Sequence, residues 1–210
     1  KAVAAFADLI NEKALVLECV DSWFITPNGL DATETFYAKD GNTFSKDHST
    51  TAEELARIMS YCVLHSPKKE EFLKITQTIS YSFASEKGRK HFCSNHNAFL
   101  TMMDGVISGK TGFTNKAGYC YVGALERDNR TFVVALLACG WPNNKSYKWK
   151  DTRALMEYGL ENYRYEAFES AMEEVEKEGV ITVFNGQTQG IGDTAYANWE
   201  VREDKTNMGE

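Results

Sequence analysis

The first part of the chain alternates apolar and polar residues with the period of a helix. The apolar positions are Val3, Phe6, Leu9, Ile10 and Leu17. This spacing predicts a helix over residues 2–17 with one buried face. A capping-box pattern at Thr51–Glu54 predicts the start of a second amphipathic helix. Ser66-Pro67 predicts the start of a short third helix, because proline is well tolerated at the first helical position.

The middle of the chain changes to patterns that are typical of strands. "ITQTISYSF" alternates and predicts a half-buried strand. "AGYCYVGALE" and "TFVVALLACG" flank Arg127-Asp128-Asn129-Arg130, which indicates a hairpin. Both faces of these two strands are mostly apolar, so the sheet must be covered on both sides, and helices are the expected cover. One covering helix is predicted in "SYKWKDTRALMEYGLENY". Trp141, Tyr147 and Trp149 are expected to pack it against the sheet, and the alternative is that they overhang a cleft.

After Tyr165 the composition shifts to a Glu-rich stretch and then to short strand-like runs with Gly-rich turns. We therefore predict two domains, 1–165 and the beginning of a β-rich domain over 166–210. The chain begins within an amphipathic helix and without Met, which is typical of the interior of a longer protein. Its apolar runs are too short to span a bilayer.

Composition narrows the possible partners. The net charge is −7, and no stripe of Lys and Arg runs along any segment. We therefore do not expect the protein to bind nucleic acid. The five cysteines lack CxxC spacing and are predicted to be small, mostly buried residues: Cys19, Cys62, Cys93, Cys120 and Cys139. His91, Cys93 and His96 lie close in sequence, but their spacing is not that of a structural zinc site, and we predict no metal.

The chemistry of the chain is concentrated in "SGKTGFTNKAGYC", residues 108–120. Lys110 and Thr111 are expected on a strand near the edge of the covered sheet, where an unpaired lysine must face solvent or a cleft. An ammonium and a hydroxyl side by side suit an anionic group such as a peptide carboxylate. Gly112 would let a ligand backbone approach closely. From these residues alone, a binding site and an ordinary edge strand are equally compatible with the pattern.

A wider set of segments resembles one family. "FITPNGLDA", "HSTTAEELARIM", "NHNAFL", "GKTGFTNKAGYCYVGA" and "LMEYGLENYR" occur in order across most of residues 6–165. They resemble the later part of serine-type D-alanyl-D-alanine carboxypeptidases, the low-molecular-mass penicillin-binding proteins, whose signature set includes K-T-G. The resemblance implies an α/β (α+β) fold in which an antiparallel sheet lies between helical layers, with the K-T-G strand as one wall of the active cleft.

The resemblance also implies a role for each site residue. Lys110 would be the catalytic-site lysine that helps to bind the substrate carboxylate, and the substrate-binding residues would be Thr111, Gly112, Phe113 and Thr114. The implied reaction is acyl transfer from a peptidoglycan stem peptide to a serine, with β-lactams as substrate mimics and no cofactor or metal. Such a protein would be exported to the cell envelope, with possible peripheral attachment to the membrane through a later segment.

The family's S-x-x-K and S-x-N motifs precede the region that this chain resembles, and neither is found at the expected place. Ser66-Pro67-Lys68-Lys69 spells S-x-x-K but lies downstream of the nucleophile's position, and Tyr196-Ala197-Asn198 lies far after K-T-G. We expect the nucleophile in an upstream part of the same protein and the 210 residues alone to be inactive. Two alternatives stay open: a β-lactamase, and a catalytically inactive relative that binds peptidoglycan.

Overall fold

A computed structural model describes residues 2–164, 178–183 and 195–200, and it divides the chain into two compact units, 1–165 and 166–210. The first unit is built around a three-stranded antiparallel sheet with the order β5-β6-β7. These strands are β5 (Val106–Thr114), β6 (Gly118–Arg127) and β7 (Arg130–Leu136). The predicted hairpin between β6 and β7 is confirmed: Asp128 and Asn129 have φ of 53° and 59°, the left-handed conformation that tight hairpin turns need.

Helices cover both faces of this sheet, as its apolar strands predict. On one face lie α2 (Ala52–Ser60), a π-helical turn (Tyr61–His65) and α3 (Lys69–Gln77). This side packs Met59 and Val63 against Val122 and Ala124. On the other face lies α4 (Tyr147–Asn162), whose Met156 joins the second core cluster, built from Phe99, Met103, Tyr121, Leu125 and Val134.

Helix α2 begins as the sequence predicts. The Thr51 hydroxyl caps the helix by accepting a hydrogen bond from the Glu54 amide, at 3.1 Å. The Glu54 carboxylate is directed elsewhere: it accepts from the Ser22 hydroxyl at 2.6 Å and from the Asp21 amide at 2.8 Å. These bonds lower the pKa of Glu54 and fix the segment that contains Asp21 and Ser22 to α2.

Two short hairpins project from this core. One joins β1 (Thr33–Tyr37) to β2 (Thr43–Asp47), and the other joins β3 (Ser80–Ala84) to β4 (Lys90–Ser94). The "ITQTISYSF" prediction is wrong in its first half, because α3 continues through Gln77, and β3 is exposed along its length rather than half-buried. Cys93 on β4 is likewise exposed, contrary to the prediction of buried cysteines, because none of the described elements covers it. Cys19 is buried, and the other three cysteines are half-buried.

The first helix, α1 (Ala2–Val16), forms where it is predicted, but its large apolar residues are not buried. Val3, Phe6 and Leu9 are 57%, 52% and 60% exposed. The helix contacts the rest of the unit through small residues, Ala7 and Ala14, and through polar bonds, in which the Asn11 side chain both donates to and accepts from the backbone of Phe24. The prediction that the large apolar residues of α1 form a buried face is therefore wrong. The buried stripe of the helix is narrow and consists of alanine.

In the second unit, the described residues form an antiparallel pair of strands, β8 (Glu178–Val183) and β9 (Ala195–Glu200).

A 3₁₀ turn (Ala98–Thr101) precedes β5 in the first unit. Over the described parts of the chain, none of the helices is both long enough and apolar enough to cross a membrane.

Candidate active-site wall on strand β5

Strand β5 carries Lys110, Thr111 and Gly112 at the border of the three-stranded sheet. Within the described residues it pairs with β6 alone, so its outer edge offers backbone groups to a ligand. Lys110 lies opposite Val122 of β6, and Thr111 lies opposite Tyr121. Because successive strand residues point to opposite faces, Lys110 projects toward the α2 side and Thr111 toward the α4 side.

The strand is anchored immediately before Lys110. Ser108 is fully buried, and its hydroxyl is 3.0 Å from the Thr76 hydroxyl of α3. On the other face the Tyr121 hydroxyl donates to the Asn97 side-chain oxygen at 3.0 Å, and burial raises the pKa of Tyr121, so it stays a donor. A Cβ at Gly109 would lie 2.3 Å from that hydroxyl, so only glycine fits above it. These contacts fix where the exposed part of the strand begins.

Lys110 itself is exposed, and its ammonium donates to the backbone carbonyl of Thr111. This contact keeps the cation along its own strand edge rather than in an ion pair. A carboxylate that approached the edge would therefore meet a lysine that has no competing acid among the ion pairs of the described residues.

A second lysine reaches the same place from α4. Lys148 is only 7% exposed, and its ammonium donates to the Thr111 hydroxyl. The ammonium also lies 5.1 Å from the ring centre of Tyr119 and 4.6 Å from that of Trp149, distances at which aromatic faces stabilise a cation. Burial and the nearby Lys145 lower the pKa of Lys148. Thr111 is thus the meeting point of two ammonium groups.

Sequence reasoning missed Lys148. The residue stands at the start of a predicted helix among other lysines, Lys145 and Lys150, and nothing in the local pattern separates it from them. The one indication in the sequence was the neighbouring Trp149, which is a large aromatic residue and therefore a candidate for the core. Its ring stacks on that of Phe99, with ring centres 6.2 Å apart. Of the three aromatic residues expected to hold α4, Tyr147 is instead exposed, and the Trp141 indole donates to the carbonyl of Asn115 at 3.0 Å.

The three remaining predicted substrate contacts follow Thr111 along the strand. A Cβ placed at Gly112 would have no atom within 4 Å, so the strand is open to close approach there. Phe113 packs on Tyr119, with ring centres 4.5 Å apart, and is 40% exposed. The Thr114 hydroxyl, like that of Thr111, is engaged within the chain: it donates to Asp31 at 2.9 Å and accepts from the Ala117 amide at 3.0 Å.

Neither of the two motif-like strings is part of β5. The Ser66 hydroxyl accepts from the Lys68 amide, and Lys68 pairs with Glu71 at 2.8 Å, so this stretch forms the local turn that leads into α3. Tyr196-Ala197-Asn198 lies on β9 of the second unit. In the part of the chain that the structure describes, no three His, Cys, Asp or Glu side chains are grouped so that they could hold a metal ion.

The fold agrees with solved structures of penicillin-binding proteins. A penicillin-binding protein homologue from Mycobacterium tuberculosis is 26% identical, with a TM-score of 0.59 over 78% of this chain and 56% of that chain. Penicillin-binding protein D2 from Listeria monocytogenes, in its cefotaxime-bound form, is 28% identical, with a TM-score of 0.56 over 75% of this chain and 56% of that chain. The class of fold is therefore that of penicillin-binding proteins.

The sequence comparison is more specific. The D-alanyl-D-alanine carboxypeptidase family matches residues 2–139, and the chain belongs to that family. The D-alanyl-D-alanine carboxypeptidase DacB2 of Mycobacterium tuberculosis is 27% identical over 151 residues, which are 72% of this chain and 46% of the relative. The chain thus spans about half the length of the relatives that it matches.

Proposed function

We propose that this chain is the K-T-G portion of a serine D-alanyl-D-alanine carboxypeptidase, and that the attacking serine belongs to a segment of the protein outside these 210 residues. One observation carries the proposal: Lys110 and Lys148 both reach Thr111 at the open edge of β5. Two cations and a hydroxyl beside free strand backbone suit the terminal carboxylate of an extended peptide.

In the proposed reaction, the serine hydroxyl attacks the carbonyl carbon of the D-Ala–D-Ala bond and its proton passes to a base. The C–N bond then breaks, and the terminal D-alanine leaves with a proton on its nitrogen, so that an acyl-enzyme ester remains. Water hydrolyses that ester and restores the serine. Lys110 and Lys148 attract the carboxylate of the leaving D-alanine to Thr111, Lys110 from beside its backbone carbonyl and Lys148 from beside its hydroxyl. The backbone from Gly112 to Thr114 aligns the rest of the peptide.

The substrates of the intact protein would be peptidoglycan stem peptides, with β-lactams as mimics that stop at the acyl stage. The cefotaxime-bound form of the Listeria relative supports the second part of this proposal. Because peptidoglycan lies outside the cytoplasmic membrane, the protein would act in the cell envelope. A β-lactamase or an inactive peptidoglycan-binding relative would share the fold, and the kinetic test below separates them.

The test uses the full-length protein and two peptides that end in D-Ala–D-Ala, one with a free carboxylate and one with a C-terminal amide. We expect release of D-alanine from the acid and at least about a hundredfold lower kcat/KM on the amide, because an amide offers no negative charge to the ammonium groups of Lys110 and Lys148. Equal rates on both peptides would contradict the assigned carboxylate site. Rapid penicillin hydrolysis without D-alanine release would indicate the β-lactamase, and no reaction with either would indicate the inactive relative.

A further inference from the structure

The β1–β2 hairpin is joined to the turn between β5 and β6 by two carboxylates. Asp31, which precedes the first arm, accepts from the Thr114 hydroxyl at 2.9 Å. Asp47, at the end of the second arm, pairs with the Lys116 ammonium at 2.6 Å. These bonds connect residues that are 83 and 69 positions apart in sequence. The base of the hairpin therefore supplies one contact to the last residue of β5 and one to the turn that follows it.

The base of the hairpin is itself held firmly. Asp47 accepts a second bond from the Thr33 hydroxyl at 2.6 Å, and Thr33 and Asp47 are partners in the strand register. The Asp47 pKa is lowered by the hydrogen bonds from Lys116 and Thr33, so the carboxylate remains charged at neutral pH. His48 follows directly, and its Nδ1 accepts from the Ile25 amide at 3.0 Å.

Aromatic packing stiffens the hairpin beyond its base. Phe36 and Phe44 stack with ring centres 4.9 Å apart, and Trp23 meets Phe36 edge-on at 6.0 Å. Trp23 also pairs with Ser49 through two backbone hydrogen bonds of 2.8 and 2.9 Å. A hairpin braced in this way can transmit a fixed position to the residues that it contacts.

The contacted turn ends the free edge of β5. Ser108 and Gly109 are buried, and α3 contacts the strand there through the Ser108–Thr76 hydroxyl pair, so the exposed part of the strand runs from Lys110 toward Thr114. The Thr114 hydroxyl is oriented by Asp31 and in turn accepts from the Ala117 amide. The geometry of the edge thus depends on a chain of bonds that begins in the hairpin.

We propose that Asp31 and Asp47 are positioning residues: together they latch the β1–β2 hairpin to the β5–β6 turn and so fix the strand edge on which the substrate peptide lies. The latch itself consists of the contacts of Asp31 and Asp47. Its effect on catalysis rests on the proposed function. Neither aspartate contacts the reacting atoms, since each acts through Thr114 or Lys116.

The test is hydrogen–deuterium exchange on the full-length protein, read at the amide of Ala117. The variants are Asp31→Ala, Asp31→Asn and the double variant Asp31→Ala with Asp47→Ala. Glu71→Ala is the control, because Glu71 also forms an exposed 2.8 Å ion pair with a lysine but lies on α3. We expect about tenfold faster exchange in the double variant, a smaller increase in Asp31→Ala, and near wild-type exchange in Asp31→Asn, whose amide oxygen can still accept from Thr114.

Unchanged Ala117 exchange in the double variant would overturn the latch, and so would an equal increase in the Glu71→Ala control. An Asp31→Asn variant as fast as Asp31→Ala would overturn the assigned Thr114 hydrogen bond. D-alanine release supplies the second readout: a displaced edge lowers kcat by about tenfold and leaves KM nearly constant. Wild-type protein that releases no D-alanine would reject the proposed function alone, because the exchange result still decides on the latch.

Discussion

Two lysines meet at Thr111, and they differ in how much water surrounds them. Lys110 is exposed on the strand edge, whereas Lys148 is 7% exposed and lies between α4 and the sheet. Burial disfavours a charged ammonium, which is why the pKa of Lys148 is lowered, with Lys145 adding repulsion. Lys148 therefore loses its proton at a lower pH than an ordinary lysine, and an anion bound at Thr111 loses one of its two cations as pH rises.

A substitution at Lys148 tests this assignment. We expect Lys148→Met to raise KM for the D-Ala–D-Ala acid about tenfold with less change in kcat, and Lys148→Arg to restore most of the affinity. The wild-type KM should rise at alkaline pH, and this rise should vanish in Lys148→Met because the titrating group is gone. Lys150→Met, at an exposed position two residues away, is the control. A KM that stays at the wild-type value in Lys148→Met would remove Lys148 from the site.

At the scale of elements, β5 contains two glycines with different roles. Gly109 is needed for packing in the core, and Gly112 would be needed for the approach of a ligand. Gly109 lies directly over the hydroxyl of Tyr121, whereas Gly112 faces open space. The two glycines are three residues apart on the same strand and so provide a matched pair. They separate the role of the strand in folding from its role in binding.

We expect Gly109→Ala to lower the free energy of unfolding by about 1–3 kcal/mol, because the new methyl group overpacks the Tyr121–Asn97 pair. Gly112→Ala should leave that free energy unchanged or raise it by up to about 1 kcal/mol. Urea unfolding of the full-length protein measures both. The same Gly112→Ala variant should lose penicillin binding, because its methyl group projects on the face of Lys110. A destabilised Gly112→Ala variant would contradict the open edge.

The elements with strong periodicity were predictable from the sequence, and so was part of the site. Apolar alternation on both faces identified β6 and β7 as a covered hairpin, and the lysine before them was correctly expected at the sheet edge. Lys148 and Asp31 could not be found in this way, because their roles come from contacts 37 and 83 residues away in sequence. The exposed face of α1 was missed for a related reason, since amphipathic spacing predicts a buried face without showing whether anything covers it.

At the scale of the whole molecule, the proposed function makes this chain one wall of a cleft. It covers 46% of the mycobacterial carboxypeptidase DacB2 and 56% of the penicillin-binding protein homologue from the same organism. In the proposed function, the cations, hydroxyls and strand edge of this wall bind and align a peptide, and the nucleophile is supplied by another segment of the protein. The proposed activity therefore belongs to the intact protein, and we expect the 210 residues alone to form no acyl-enzyme.

The role of β5 as a wall of the active site is tested most directly by covalent labelling of the full-length protein with a fluorescent penicillin, followed over time. We predict labelling of the wild type and a fall of at least about a hundredfold in the labelling rate of Lys110→Ala, because the carboxylate of the drug loses its exposed cation at the strand edge. Lys87→Ala, an exposed lysine in the β3–β4 turn, should label like the wild type. Labelling of Lys110→Ala at the wild-type rate would contradict the assignment of β5 as the wall of the active site.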